Sequence, residues 1–193
     1  KPYLPELKEH LESRCTASAS LFPEESLKYF PPKAPVLTKR QIIGPNYDVR
    51  IISEVSAKEL NKRLKGKLKN QGALIIKIAK EHGIDPLFFY ALICHESGFG
   101  TSKNTNLYFN CTGSLKRING KWRPIKFSSI ENCLRYSANN LKNNYIGSNR
   151  VTIAKIAAKY CPVGISKRSK DFNDPKSLNG NWRPKIQYFM KQV

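Results

Sequence analysis

The run His95-Glu96-Ser97-Gly98-Phe99-Gly100-Thr101-Ser102 is the stretch of this sequence best suited to chemistry, because it places one carboxylic acid at the end of an apolar segment and follows it with a glycine-broken turn. The dipole at a helix C-terminus disfavours an acid and favours a lysine or arginine, so a glutamate there calls for a reason. Phe89, Ile93 and Glu96 fall at i, i+4 and i+7, which puts the carboxylate on a stripe with two large apolar side chains, emerging where the helix meets a cleft. Desolvation at such a position raises the pKa and lets the group donate a proton to a leaving oxygen near neutrality. Gly98 and Gly100 are expected to end the helix and leave room for a substrate to approach the carboxyl.

The elements that must position this acid can be read from ends and stripes. Asp85 is a good N-cap, Pro86 suits the first helical position, and Leu87 to Cys94 are apolar all round, the pattern of a buried helix. Other helices are expected at about 57–64, 71–82, 129–145, 150–160 and 182–191. The fourth of all is marked by Ile130, Leu134, Ala138, Leu141 and Tyr145 at i, i+4, i+8, i+11 and i+15. Between Phe99 and Phe127 the chain is rich in Asn, Thr, Lys and aromatics, and Ile118-Asn119-Gly120-Lys121 reads as a hairpin turn. The fold class is therefore α+β and mainly helical, with a helical lobe facing a small β-lobe across a cleft.

The helix, its glutamate and the turn, with the preceding Leu60 to Gly72, resemble the glucosaminidase domain of bacterial autolysins and of flagellar and phage peptidoglycan hydrolases. Asn106-Leu107-Tyr108-Phe109-Asn110-Cys111-Thr112-Gly113 stands where that family carries an asparagine-rich, glycine-ended segment lining the cleft. Phe127 to Leu134 is similar to the family's helix start, and Tyr160-Cys161-Pro162-Val163-Gly164 with Asn173-Asp174-Pro175, Leu178-Asn179 and Trp182 is similar to the ending of one branch. The resemblance implies a lysozyme-like fold, hydrolysis of the β-1,4 bond after N-acetylglucosamine in peptidoglycan, and Glu96 as general acid. A lytic transglycosylase shares the glutamate-serine pair but continues into a Gly-Leu-Met-Gln-like stretch, which nothing between Phe99 and Lys126 provides. A muramidase on the same fold and a non-catalytic wall-binding or assembly protein are the further alternatives. Asn106, Tyr108, Phe109, Asn110 and Trp122 are the candidates to line the cleft with sugar-binding amides and rings. Trp182 reads as structural, starting the last helix against the core.

A second catalytic group is harder to find. Most glycosidases pair two carboxylates, about 5 to 5.5 Å apart for retention and roughly 6.5 to 9.5 Å for inversion. After Glu96 the only acids are Glu131, Asp171 and Asp174. Glu131 is the carboxylate candidate, although Ser128 with Glu131 also reads as a capping box and Glu131 with Arg135 as an i,i+4 pair. Asp174 before Pro175 reads as turn chemistry. Assistance by the substrate's 2-acetamido group is the alternative. Tyr160, at the end of the stripe Ile153, Ile156, Ala157, Tyr160, then becomes the candidate to position that group or a water; its competing role is a core or cleft-edge aromatic.

Composition narrows the partners. The 193 residues carry 34 Lys and Arg against 14 Asp and Glu, a net charge of +20. No nucleic-acid-binding pattern accompanies that charge, neither zinc-finger spacing nor an aromatic RNA-sheet motif, so no nucleic acid partner is expected. Peptidoglycan glycan strands and anionic cell-wall polymers are the expected partners, concentrated by long-range attraction. Cys15, Cys94, Cys111, Cys133 and Cys161 show no metal-site spacing, so neither a metal nor any cofactor is expected. A bridge from Cys111 to Cys133 or Cys161 is the first expectation for an extracytoplasmic enzyme with an odd cysteine count.

Residues 1–52 are expected to form an N-terminal arm, with a short helix carrying Leu4, Leu7 and Leu11 and then a Pro-rich extended segment, and 53–193 the catalytic domain. Leu21, Phe22, Tyr29, Phe30, Val36, Ile42 and Ile43 make the arm more apolar than a linker needs, so it is expected to pack on the catalytic domain and is the candidate membrane or protein anchor. The chain opens at Lys1 with neither an initiator methionine nor a signal peptide, and no apolar run reaches a membrane span, which reads as a trimmed or mature form. The expected location is extracytoplasmic: secreted, wall-associated or periplasmic, or carried by a phage particle as a lysin.

Overall fold

The computed structural model describes residues 43–169, 174 and 176–193. The expected N-terminal helix, most of the Pro-rich arm, Cys15 and Asp171 lie outside the described residues. Seven α-helices and one hairpin are formed among the described residues: α1 Ala57–Asn61, α2 Gly72–Glu81, α3 Pro86–Ser97, α4 Lys103–Tyr108, β1 Leu115–Ile118, β2 Lys121–Pro124, α5 Ile130–Asn144, α6 Ile153–Tyr160 and α7 Trp182–Lys191. The architecture is mainly helical with a two-stranded antiparallel sheet, as the sequence patterns indicate. No helix among the described residues is long and apolar enough to cross a membrane.

The helix that carries Glu96 sits at the centre. In α3, Phe88, Phe89, Ala91 and Ile93 are fully buried and Leu92 nearly so, because the segment has no polar face to turn outward. It packs along α7 on one side and α2 on another. The Asp85 side chain caps it, accepting from the Leu87 and Phe88 amides at 3.1 and 3.3 Å. The same carboxylate accepts from the Tyr47 hydroxyl at 2.8 Å and the Ser53 amide at 3.1 Å, so this buried acid ties residues 47–53 to the helix start. The Asp85 amide itself donates to the Val49 carbonyl, and the Val49 amide to Val151, which draws the segment after Ile43 into the helical body.

The turn after Glu96 is built for backbone contact. Gly98 ends α3 in the left-handed region, and Gly100 stands at φ +98° with its Cα face against the Lys65 carbonyl and Leu68. Gly66 presses back on the Gly100 carbonyl. The room that Gly100 makes is thus for the neighbouring turn Gly66–Leu68, and not for a substrate, which corrects the sequence expectation for this residue. Phe99 also takes a positive φ of 60°, held by an edge contact to Phe189 of α7 with ring centroids 5.0 Å apart and by the Arg63 guanidinium 4.9 Å over its ring.

The β-lobe begins at a clamped root. Asn110 donates from its amide nitrogen to the Ser114 and Ile125 carbonyls at 2.7 and 3.0 Å and accepts from the Ser114 amide at 3.0 Å, so it pins both ends of the hairpin. Asn119 and Gly120 both take positive φ, the two-residue turn the sequence indicates. Cys111 and Cys133 meet as buried thiols with Sγ atoms 3.4 Å apart, and Thr112 reaches Ser137 at 2.8 Å, which fastens the root to α5. The expected capping box at Ser128 and Glu131 is replaced by Ser129 as the N-cap, its hydroxyl accepting from the Asn132 amide at 3.1 Å. A true capping box stands instead at Ser56 and Glu59 on α1.

Replacing Asp85 by Ala removes the cap of α3 and orphans the Tyr47 and Ser53 donors, for an expected loss of roughly 3 kcal/mol. Thermal unfolding checks this: Asp85→Ala should lower the melting temperature by about 6 to 12 °C, and Asp85→Asn, which keeps a capping oxygen, by clearly less.

Candidate active site

Three elements converge on the Glu96 carboxyl. It is carried by the last turn of α3, remains partly exposed, and accepts a hydrogen bond at Oε1 from the indole Nε1 of Trp182 at 3.2 Å. Trp182 opens α7 and is itself 2% exposed, so its position is fixed by the core. The Tyr160 phenol, from the last residue of α6, acts on the same carboxylate and favours its ionised form. Tyr160 stacks on Trp182 with centroids 5.2 Å apart and a 30° interplanar angle, and on Tyr145 at 6.0 Å. The opposite side is Gly113, where a Cβ would stand 3.6 Å from Oε2. Glu96 therefore lies between an aromatic wall and a bare backbone turn.

Burial is the largest influence on its ionisation. It pushes the Glu96 carboxyl up from an ordinary 4.5 to about 7, against the influence of Trp182 and Tyr160, which favour the anion. The Tyr160 phenol is raised well above its usual range by burial and then by the charge of Glu96, so it stays a donor across physiological pH. Burial lifts the Cys161 thiol next door to about 12, which keeps it protonated and inert as a nucleophile. His95, the other titratable residue of the motif, faces Phe189 at a centroid distance of 6.4 Å, and burial lowers its pKa. A carboxyl that is half protonated near pH 7 and open to solvent on one side can give a proton and take one back.

The residues singled out from sequence fall into two groups. Glu96 and Tyr160 are brought together. Glu131 is not placed with them: it pairs with Arg135 at 2.9 Å, and Arg135 reaches on to Glu81 at the end of α2, so Glu131 serves a surface network. Asn110, expected among the cleft-lining amides, is 1% exposed and has committed its amide group to the hairpin root. Asn106 is exposed and donates to the Thr101 carbonyl at 3.1 Å. The rings of Tyr108 and Phe109 are covered by Lys126 and Lys67, with Nζ 5.2 and 4.2 Å from the centroids. Trp122 stands on the hairpin, 66% exposed. Asp174 accepts from the Leu178 and Asn179 amides at 2.6 and 3.1 Å, as turn chemistry requires.

Sequence reasoning missed two contributors. Trp182 was expected to be structural only, and it is buried as expected, but its N–H also serves the carboxylate. The signal available was an indole that needs a partner wherever it is buried. Gly113 was visible only as the end of a motif, and the wall it forms beside Glu96 appears with the fold. Among the described residues no group of three His, Cys, Asp or Glu could hold a metal ion.

Glu96, at a helix end beside the root of a small hairpin, sits in a mainly helical, lysozyme-like fold. The family model described as mannosyl-glycoprotein endo-beta-N-acetylglucosaminidase matches residues 72–193, and the chain belongs to this glucosaminidase family. Its fold is similar to that of S. aureus autolysin E, with a TM-score of 0.58 at 18% identity over 77% of this chain and 70% of that one. A catalytic mutant of autolysin E in complex with the disaccharide NAG-NAM aligns with a TM-score of 0.57, also at 18% identity, over 76% of this chain and 69% of the other. The complex of that protein with the muropeptide NAM-L-Ala-D-iGlu aligns at 0.53 and 18% identity, over 75% and 71%. No curated protein matches at the sequence level.

The indole and the phenol favour the ionised form of Glu96, so removing one must raise its pKa further. Trp182→Phe is expected to shift the Glu96 titration to higher pH, read by carboxyl-carbon NMR with Glu96→Gln as the assignment control. An unchanged or lowered midpoint would show that the indole does not act on the carboxylate.

Proposed function

We propose that this protein is a peptidoglycan hydrolase that cleaves the β-1,4 bond after N-acetylglucosamine, with Glu96 as the general acid. The observation that carries the reading is the Glu96 carboxyl itself, raised to about 7 by burial, held by Trp182 and Tyr160, and open beside Gly113. Membership of the glucosaminidase family and the autolysin-like fold support it. Protonated Glu96 gives its proton to the glycosidic oxygen as the bond to C1 breaks. Positive charge then develops on the sugar ring, and the carboxylate left behind is the base for the incoming water.

What meets that charge is proposed to be the substrate. Among the described residues no carboxylate adds its charge to the surroundings of Glu96, which are set by burial, Trp182 and Tyr160. Glu131 and Asp174 are engaged elsewhere. The acetamido oxygen of N-acetylglucosamine attacks C1 in their place, and water deprotonated by Glu96 opens the resulting ring. Tyr160 is the residue that orients the acetamido group or the water, at the edge of the Tyr145, Tyr160 and Trp182 ring stack. The protein's +20 charge favours capture on an anionic wall, which supports action outside the cytoplasm.

Mass spectrometry of fragments released from purified peptidoglycan tests the bond. Reducing-end N-acetylglucosamine is expected; N-acetylmuramic acid ends would make the protein a muramidase, and 1,6-anhydro ends a transglycosylase. Glu96→Gln should cut turnover by roughly 10²- to 10⁴-fold with the fold intact, and activity within a few-fold of the parent would remove Glu96 from the reaction. Tyr160→Phe should lower turnover by about 10²-fold if its hydroxyl acts in the transition state, whereas a packing role alone leaves turnover unchanged.

A further inference from the structure

The hairpin Leu115–Pro124 follows Gly113 in the chain and is almost wholly exposed. All of its strand residues are exposed except Pro124, which is intermediate, so the sheet has no buried face. A two-stranded hairpin with no core of its own is marginal in water, and this one is kept in place by its root. Asn110 clamps Ser114 to Ile125, and Thr112 and Cys111 fasten the preceding turn to α5. The root also carries Gly113, the wall of the Glu96 site. Lys116 follows Gly113 by three residues, so its Cα lies at most about 11 Å farther along the chain.

Register fixes what the hairpin presents. Leu115 pairs with Pro124 and Arg117 with Trp122 on one face, while Lys116 pairs with Arg123 and Ile118 with Lys121 on the other. Like charges directly across an antiparallel pair are destabilising, so Lys116 opposite Arg123 has a structural cost and no structural return. Lys116, Lys121 and Arg123 have no acidic partner among the described residues, and no Asp or Glu occurs anywhere from Ser97 to Ile130. Trp122, 66% exposed, adds an uncovered aromatic plane on the other face. Charge complementarity therefore asks for an anionic occupant close to the bond being cleaved.

We propose that this hairpin is a specificity element that binds the carboxylates of the peptide stems carried by the wall glycan, making the enzyme prefer peptide-bearing strands over bare ones. The inference rests on the peptidoglycan reading above and names the part of the polymer that the site selects. Lys116, Lys121 and Arg123 supply the counter-charge, and Trp122 offers its ring to the sugars. Sparse carboxylates spaced along a glycan suit cations spread over a short hairpin, because each exposed pair contributes only a little and their number sets the preference.

Co-sedimentation with insoluble glycan tests it, using wall freed of its phosphate polymers as the peptide-bearing glycan and chitin, which carries neither peptides nor carboxylates, as the bare one. The chain carrying Glu96→Gln is compared with the same chain also carrying Lys116→Gln, Lys121→Gln and Arg123→Gln, so that binding is read without relying on cleavage. These side chains are exposed and make no described tertiary contact, so the variant is expected to fold. Binding to the peptide-bearing glycan should weaken by about 10-fold at low salt, and binding to the bare glycan should stay the same. High salt should erase the difference. Equal weakening on both glycans, or no change on either, would overturn the proposal. Hairpin-dependent binding by a parent protein that hydrolyses no glycan would overturn the hydrolase reading and leave this one standing.

Discussion

Keeping one carboxyl group poorly hydrated at the end of an apolar helix is the constraint to which the rest of this fold answers. Glu96 can hold its position only if α3 is rigid, and α3 is made rigid by a buried stripe and by the Asp85 cap, which gathers Tyr47 and Ser53 as well. It can stay poorly hydrated only if walls stand around it. One wall is the aromatic set Trp182, Tyr160 and Tyr145, supplied by three helical segments; the other is the Gly113 turn, anchored through Asn110, Thr112 and Cys111. Helix α7 does double duty, since its first residue donates to Glu96 and its Phe189 braces the strained Phe99 in the turn that follows.

Such a site works against stability. A carboxyl raised from 4.5 to about 7 in the folded state binds its proton more tightly there than in the unfolded chain. Its contribution to stability is therefore fully present below about pH 4.5 and is lost as the pH rises through 7, a swing of roughly 3 kcal/mol. The core must offset that cost, and the apolar circumference of α3, with no polar stripe at all, supplies burial to do so. Trp182 and Tyr160 limit the penalty without cancelling it, which keeps the group near the pH where it can both give and accept a proton.

Much of this was legible in the sequence because it is local. The cap at Asp85, the stripe ending in Glu96, the stripe ending in Tyr160 and the Asn119-Gly120 turn each depend on residues within a turn or two of one another. Helix α4 escaped notice because its six residues have no apolar stripe, and only the Ser102 cap marks it. The Trp182 hydrogen bond spans 86 positions, and no spacing rule reaches that far. Asn110 misled for the opposite reason: an asparagine in a polar, aromatic segment looks like a sugar ligand, but a hairpin root without a core needs that amide for itself. Glu131 looked like a second acid until Arg135 and Glu81 accounted for it.

The direct measurement is the ionisation of Glu96 in the intact protein, followed by carboxyl-carbon NMR between pH 3 and 9 and assigned by the signal lost in Glu96→Gln. A midpoint near 7 is expected from its burial against Trp182 and Tyr160. A midpoint near 4.5 would mean a solvated, ordinary carboxylate, and would contradict its role as the proton donor.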